Sequence, residues 1–303
     1  MKGPLPPFQG RVGNLASMPN PPQDGAAARD LAVRIGARLG RCPGVGAVTL
    51  GGSWASGTAD HRSDIDLGLY LDRQGGLDVA RLQHLASGLD DRGPAAVVGR
   101  PGEWGPWVNG GAWLKIEGRR VDWIYRDLDL VTRTVEDLCA GHPATHFQVG
   151  HPAGFSTEIY AAEIHLSEVL FDADGVIAKL KSRLVPYPPR LRRALFAGLW
   201  EARFLVEAAA RAAQRGDSHF VAGSAVRSVA CMVQALFALN ERYWLHEKGS
   251  IALTEELNRK PQHFGARARA VLGELGREPS ELASSLERLA ELLAETEVLC
   301  GVR

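Results

Sequence analysis

A turn of two glycines and a serine, Gly51-Gly52-Ser53, stands between a short apolar segment and a strictly alternating one. No other stretch restricts the chain so much. Val45–Leu50 is short, rich in small and branched residues and ends in glycine, which predicts a buried strand feeding a tight loop. Over 64–71, Ile65, Leu67, Leu69 and Leu71 alternate with Asp64, Asp66, Gly68 and Tyr70. That period of two predicts a strand with one face in a core and both acids on the other. A solvated strand face would account for the alternation, but it leaves the glycine turn unexplained.

Consecutive glycines lack the Cβ that would hold a ligand off the backbone, so their amides can face a phosphate. Ser53 adds a hydroxyl donor or caps the following turn. Aspartates two apart on a strand point the same way and can share hard cations such as Mg²⁺, at about 2.0–2.1 Å. Two such ions, roughly 3.5–4 Å apart, clamp the attacking and leaving oxygens of an in-line displacement. A third carboxylate completes such a cage. The candidate is Asp122, on the second strand of a hairpin expected over 112–117 and 120–126 around Glu117-Gly118-Arg119. There it would bind a metal and accept the nucleophile's proton.

The rest of the chain reads as α+β. A first amphipathic helix is expected over 26–41, a short strand over 167–172 and a helix over 176–184, followed by a linker at Pro186, Pro188 and Pro189. Beyond it Leu191, Leu195, Leu199, Ala202, Val206 and Ala209 form one helical stripe. Val226, Val229, Val233, Leu236, Asn240 and Tyr243 form a second, on a helix reaching Leu245, and a third helix begins after Pro279. The expected division is a disordered arm over 1–25, a catalytic domain over 26–185 and a helical domain over 186–303.

Composition narrows the class. Acidic and basic residues balance at 35 each in 303 residues, which argues against a nucleic-acid substrate. Four scattered cysteines make neither a disulfide framework nor a Cys-x-x-Cys pair. No signal peptide or apolar run of membrane-spanning length is read, so a cytoplasmic protein is expected.

Gly52-Ser53, the spacer and Asp64-Ile65-Asp66-Leu67 resemble the signature of the DNA polymerase β-like nucleotidyltransferases, among them the aminoglycoside and lincosamide enzymes. The ordered chain is also similar to bacterial nucleotidyltransferase-like proteins through 109–113, 120–122 and 240–243. The resemblance implies a mixed-sheet catalytic domain followed by an all-α bundle that closes the cleft. It also implies two Mg²⁺ on Asp64, Asp66 and Asp122, and ATP or another nucleoside triphosphate held at Gly52 and Ser53.

Related enzymes use a helical-domain lysine on the phosphates, a role carried onto Lys248, whose alternative is to complement a helix C-terminus. Tyr243 is a further nucleotide-side candidate, against a plain packing role. Glu201 is read as acceptor-binding or as half of an intrahelical charge pair. His142, His146 and His151 are read as surface residues rather than zinc ligands, and Arg62 as solvated.

The implied activity is transfer of a nucleoside monophosphate, AMP from ATP, to a hydroxyl of a small-molecule acceptor by a monomer or homodimer. Adenylylation of a partner protein and non-catalytic nucleotide sensing are the alternatives.

Overall fold

A computed structural model describes residues 25–57, 59–60, 63–72 and 76–302. The expected N-terminal arm, save Gly25, and Arg62 lie outside the described residues. In chain order the elements are α1 (Gly25–Leu39), β1 (Val45–Leu50), α2 (Gly52–Ser56), β2 (Ile65–Leu71), α3 (Val79–Leu89), β3 (Gly111–Ile116) and β4 (Arg119–Asp127). Next come α4 (Leu128–Ala140), β5 (Thr145–His146), β6 (Phe155–Ser156), α5 (Glu158–Leu166), β7 (Glu168–Asp172) and α6 (Val176–Arg183). The remainder is helical: α7 (Pro189–Ala197), α8 (Leu199–Ala213), α9 (Ser218–Leu239), α10 (Ser250–Leu253), α11 (Phe264–Gly273) and α12 (Pro279–Cys300).

Five strands form a mixed sheet in the order β3-β4-β2-β1-β7, in which β2 and β4 run parallel and the other pairs antiparallel. The architecture is therefore α+β, as the patterning implies. The hairpin turn falls where expected: Glu117 and Gly118 take φ of 52° and 78°, the left-handed pair that matches the twist of a tight hairpin. The alternation of β2 also holds. Ile65, Leu67 and Leu69 are buried with Val48, Leu50, Trp123 and Tyr125 against the apolar faces of α1 and α3. Burying each such side chain contributes roughly 1.5–3 kcal/mol.

On the opposite sheet face, Ala47 and Tyr70 join one apolar cluster with α4, α5 and the helices from α7 to α12. The acids lie on this same face.

Three helical expectations need correction. The stripe from Leu191 to Ala209 is two helices, broken at Gly198. The helix expected to reach Leu245 ends at Leu239, because Asn240 turns its side chain outward: Nδ2 donates to Leu236 O and Arg259 O, and Oδ1 accepts from Arg259 N. That 22-residue helix is also long and apolar enough to cross a membrane, which the apolar-run reading overlooked, yet 67% of its most apolar window is buried within the protein.

Candidate functional site

The register of the sheet assembles the carboxylates. Asp66 stands directly opposite Asp122 in the parallel pairing of β2 with β4, so both side chains leave the same face on adjacent strands. Asp64 precedes Asp66 by two residues and shares that face. Gly51 N donates to Asp66 O at 2.8 Å, which extends the row onto the glycine turn. Trp54, in the one-turn helix α2, donates its indole N–H to Asp64 O at 2.9 Å, fixing the turn against the entry to β2.

Gly52 has φ +59°, and a Cβ built on it would collide with Asp66 Oδ2. Only glycine lets the backbone lie against that carboxylate. Alanine at 52 would cost roughly 1–2 kcal/mol for the left-handed backbone alone, and would push the Asp66 carboxylate aside. We expect Gly52→Ala to lower stability by about 1–3 kcal/mol in urea unfolding. A stability equal to wild type would show that the turn accommodates a Cβ at this position.

The face is electrostatically crowded. Burial, then the charges of Asp64 and Glu163, push Asp66 up from 3.8 to about 6, against a downward pull from Lys248. Burial, then Asp66 and Asp64, push Asp122 up to about 7, against Arg120 and Lys248. Lys248, in the loop between α9 and α10, thus acts on both carboxylates from the helical half of the chain. The helix ends at Leu239, nine residues before Lys248.

Arg120 Nε lies 2.5 Å from Asp64 Oδ1. The contact is ionic, since that buried oxygen lacks a hydrogen-bond partner among the described residues. Among the described residues, no three His, Cys, Asp or Glu side chains are grouped as a ready ligand set.

Two further residues of this face escaped the sequence reading. Arg126, two pairs along β4 from Asp122, donates from Nε and Nη2 to the two carboxylate oxygens of Glu163 on α5, at 2.8 and 2.5 Å. Its even spacing from Asp122 is a signal; Glu163 has none, because its helix is apolar nearly all round.

Other candidates lie elsewhere. Tyr243 is corrected to a packing residue: it is buried between His165 and Tyr187 and donates its hydroxyl to Leu184 O at 2.8 Å. Glu201 pairs across helices rather than within one, accepting from Arg227 Nε and Nη2 at 2.7 and 2.6 Å. His146 stacks on Trp107 and His151 packs edge-on against Phe155, while His142 is exposed.

The fold and site together define an α+β chain with a carboxylate row ending on a glycine turn. A family model described as a domain of unknown function (DUF4037) matches residues 157–248. That segment carries Glu163, Tyr243 and Lys248 and none of the three aspartates. No curated protein matches the sequence. Among solved structures, the chain is similar to a nucleotidyltransferase-like protein from Exiguobacterium sibiricum 255-15. Identity is 11%, with 91% of this chain and 76% of that one covered and a TM-score of 0.42.

Proposed function

We propose that the chain transfers a nucleoside monophosphate, AMP from ATP, to a hydroxyl of a small-molecule acceptor and releases pyrophosphate. The observation that carries this reading is the row Gly51–Asp66–Asp122, with the Gly52 backbone pressed against the Asp66 carboxylate. It brings a backbone turn fit for a polyphosphate beside clustered hard-oxygen donors.

The residues suit divalent cations. All three candidate ligands are carboxylates, Asp64 Oδ1 meets only the Arg120 cation among the described residues, and burial followed by neighbouring negative charge holds Asp66 and Asp122 above the ordinary carboxylate range. Asp64, Asp66 and Asp122 would hold two Mg²⁺, which neutralise charge on the phosphate oxygens when bound. Gly52 and Ser53 bind and orient the β- and γ-phosphates. Lys248 adds a positive charge from the helical half of the chain, where a triphosphate lying along the acid face would meet it.

The acceptor hydroxyl oxygen forms its bond to the α-phosphorus as the bond from that phosphorus to the bridging oxygen of pyrophosphate breaks. The hydroxyl proton passes to an Asp122 carboxylate oxygen, on the side of Asp66 away from the glycine turn.

Incubation of the full chain with Mg²⁺, α-labelled ATP and a small-metabolite extract should give a labelled low-molecular-weight product and stoichiometric pyrophosphate. Label on a protein band would favour adenylylation of a partner. ATP binding without pyrophosphate release across a broad acceptor panel would favour sensing.

A further inference from the structure

The row of the acid face continues past Asp122. On edge strand β3, Trp113 stands directly opposite Asp122, as Asp122 stands opposite Asp66 and Gly51 bonds to Asp66. The four residues therefore lie in one line across three strands and the turn that follows β1, with glycine at one end and an indole at the other. With neighbouring strands about 4.8 Å apart, Trp113 springs from the backbone roughly 5 Å beyond that of Asp122.

Packing does not explain this tryptophan. Its neighbours Ala112 and Leu114 are 1% and 3% exposed in the core on the other sheet face, whereas Trp113 is 48% exposed. It is nonetheless held in place. Trp104 stacks on its ring at 4.3 Å between centroids and 18° between planes. Arg92, gripped by both oxygens of the buried Asp90 carboxylate, donates from Nη2 to the Trp113 carbonyl at 2.8 Å. A large apolar ring that is stacked on a second indole and half-open to solvent, beside a carboxylate row, is a surface prepared for another ring.

The in-line requirement decides which substrate meets it. Attacking and leaving oxygens sit on opposite sides of the transferred phosphorus. A triphosphate tail held at Gly52 and Ser53 puts the leaving pyrophosphate at the glycine end of the row. The acceptor then approaches from the Asp122 side, where Trp113 is next in line.

We propose that Trp113 is the platform for the acceptor, and that the acceptor carries its hydroxyl on or beside a flat ring, sugar or aromatic, which lies against the indole. This inference rests on the nucleotidyl-transfer reading and names its substrate class.

The test uses the full chain and 4-nitrophenyl β-glucoside, whose nitrophenyl group quenches indole emission on contact. Titrated into the wild type with Mg²⁺ and α,β-methylene-ATP, the probe should quench fluorescence saturably. Trp113→Ala should raise its half-saturation concentration roughly tenfold or more, the scale of losing one ring stacked on an aromatic side chain. Trp113→Phe, which keeps a ring face, should restore most of the affinity. Competition by methyl β-glucoside or by phenol would support the platform and identify the ring it takes.

Three results would overturn the proposal. They are absence of saturable quenching in the wild type, equal half-saturation in Trp113→Ala, and saturable quenching only when the nucleotide analogue is left out, which would assign the indole to the nucleobase. Calorimetry of the magnesium–analogue complex on the same samples separates the two levels. Nucleotide binding with no probe binding sinks the acceptor platform alone, while absent nucleotide binding sinks nucleotidyl transfer and the platform with it.

Discussion

Replacing both Asp64 and Asp66 by Asn should abolish magnesium-dependent transfer, lowering kcat/KM for ATP by at least about 10³-fold while leaving the chain folded. Asparagine keeps the size of aspartate and one carbonyl oxygen but removes the charge that holds a hard divalent cation. A single carboxylate, Asp122, would remain to hold two ions. A thousandfold loss corresponds to about 4 kcal/mol of transition-state stabilisation, within the several kcal/mol that metal charge neutralisation supplies.

The fold should survive because neither side chain belongs to the core: the buried partners of β2 are Ile65, Leu67 and Leu69 on its other face. Loss of two neighbouring negative charges should also let Asp122 ionise more readily, since Asp66 and Asp64 follow burial among the causes that raise it. Transfer at the wild-type rate in the double variant would end the catalytic assignment. Unfolding of the double variant would show that the two acids serve structure.

The sequence made β2 legible because a period of two is a local property. Four aliphatic residues at alternate positions can bury only one face, and both acids then share the other. The meeting of Asp66 with Asp122 was less accessible. It depends on the parallel pairing of β2 with β4, and nothing in either strand's pattern states which strand neighbours which. The end of α9 was hidden for a similar reason. Apolar spacing continues through Tyr243, but Asn240 bonds to Arg259, a partner 19 residues away, and the chain leaves the helix there.

Tyr243 illustrates the opposite error. A tyrosine near a supposed cleft invites a binding role, yet its hydroxyl is satisfied by a backbone carbonyl inside the bundle. Trp113 was legible in part: the alternation that buries Ala112 and Leu114 turns the indole to the acid face. Its value as a platform depended on Trp104, brought to it from an irregular segment that carries no periodic signal.

Asp122→Asn should stabilise the metal-free protein at pH 8, by about 2–4 kcal/mol, even though it removes a catalytic group. The sign follows from linkage. Asp122 rises from 3.8 to about 7 on folding, so the folded state favours its protonated form. Below about pH 3 the group is protonated in folded and unfolded chains alike, and its charge costs nothing. As pH rises through the interval up to about 7, the unfolded chain gives up the proton more readily, and wild-type stability falls. Above that the full cost is present. The rise from 3.8 to about 7 sets the upper bound, at about 1.4 kcal/mol for each tenfold change in proton affinity, and the share belonging jointly to Asp66 sets the lower end of the range.

The difference between variant and wild type should therefore be smallest below about pH 3 and open steadily to pH 8 in urea unfolding without metal. Adding Mg²⁺ at pH 8 should close most of the gap. The wild type gains about 2.7 kcal/mol at a concentration a hundredfold above its dissociation constant, while the variant, short of one ligand, gains much less. Relief of carboxylate repulsion by the cation is thus measurable without any acceptor or turnover. A variant less stable than wild type at pH 8 without metal would mean that the Asp122 carboxylate is compensated inside the protein, and the case for a cation among these three aspartates would lose its electrostatic ground.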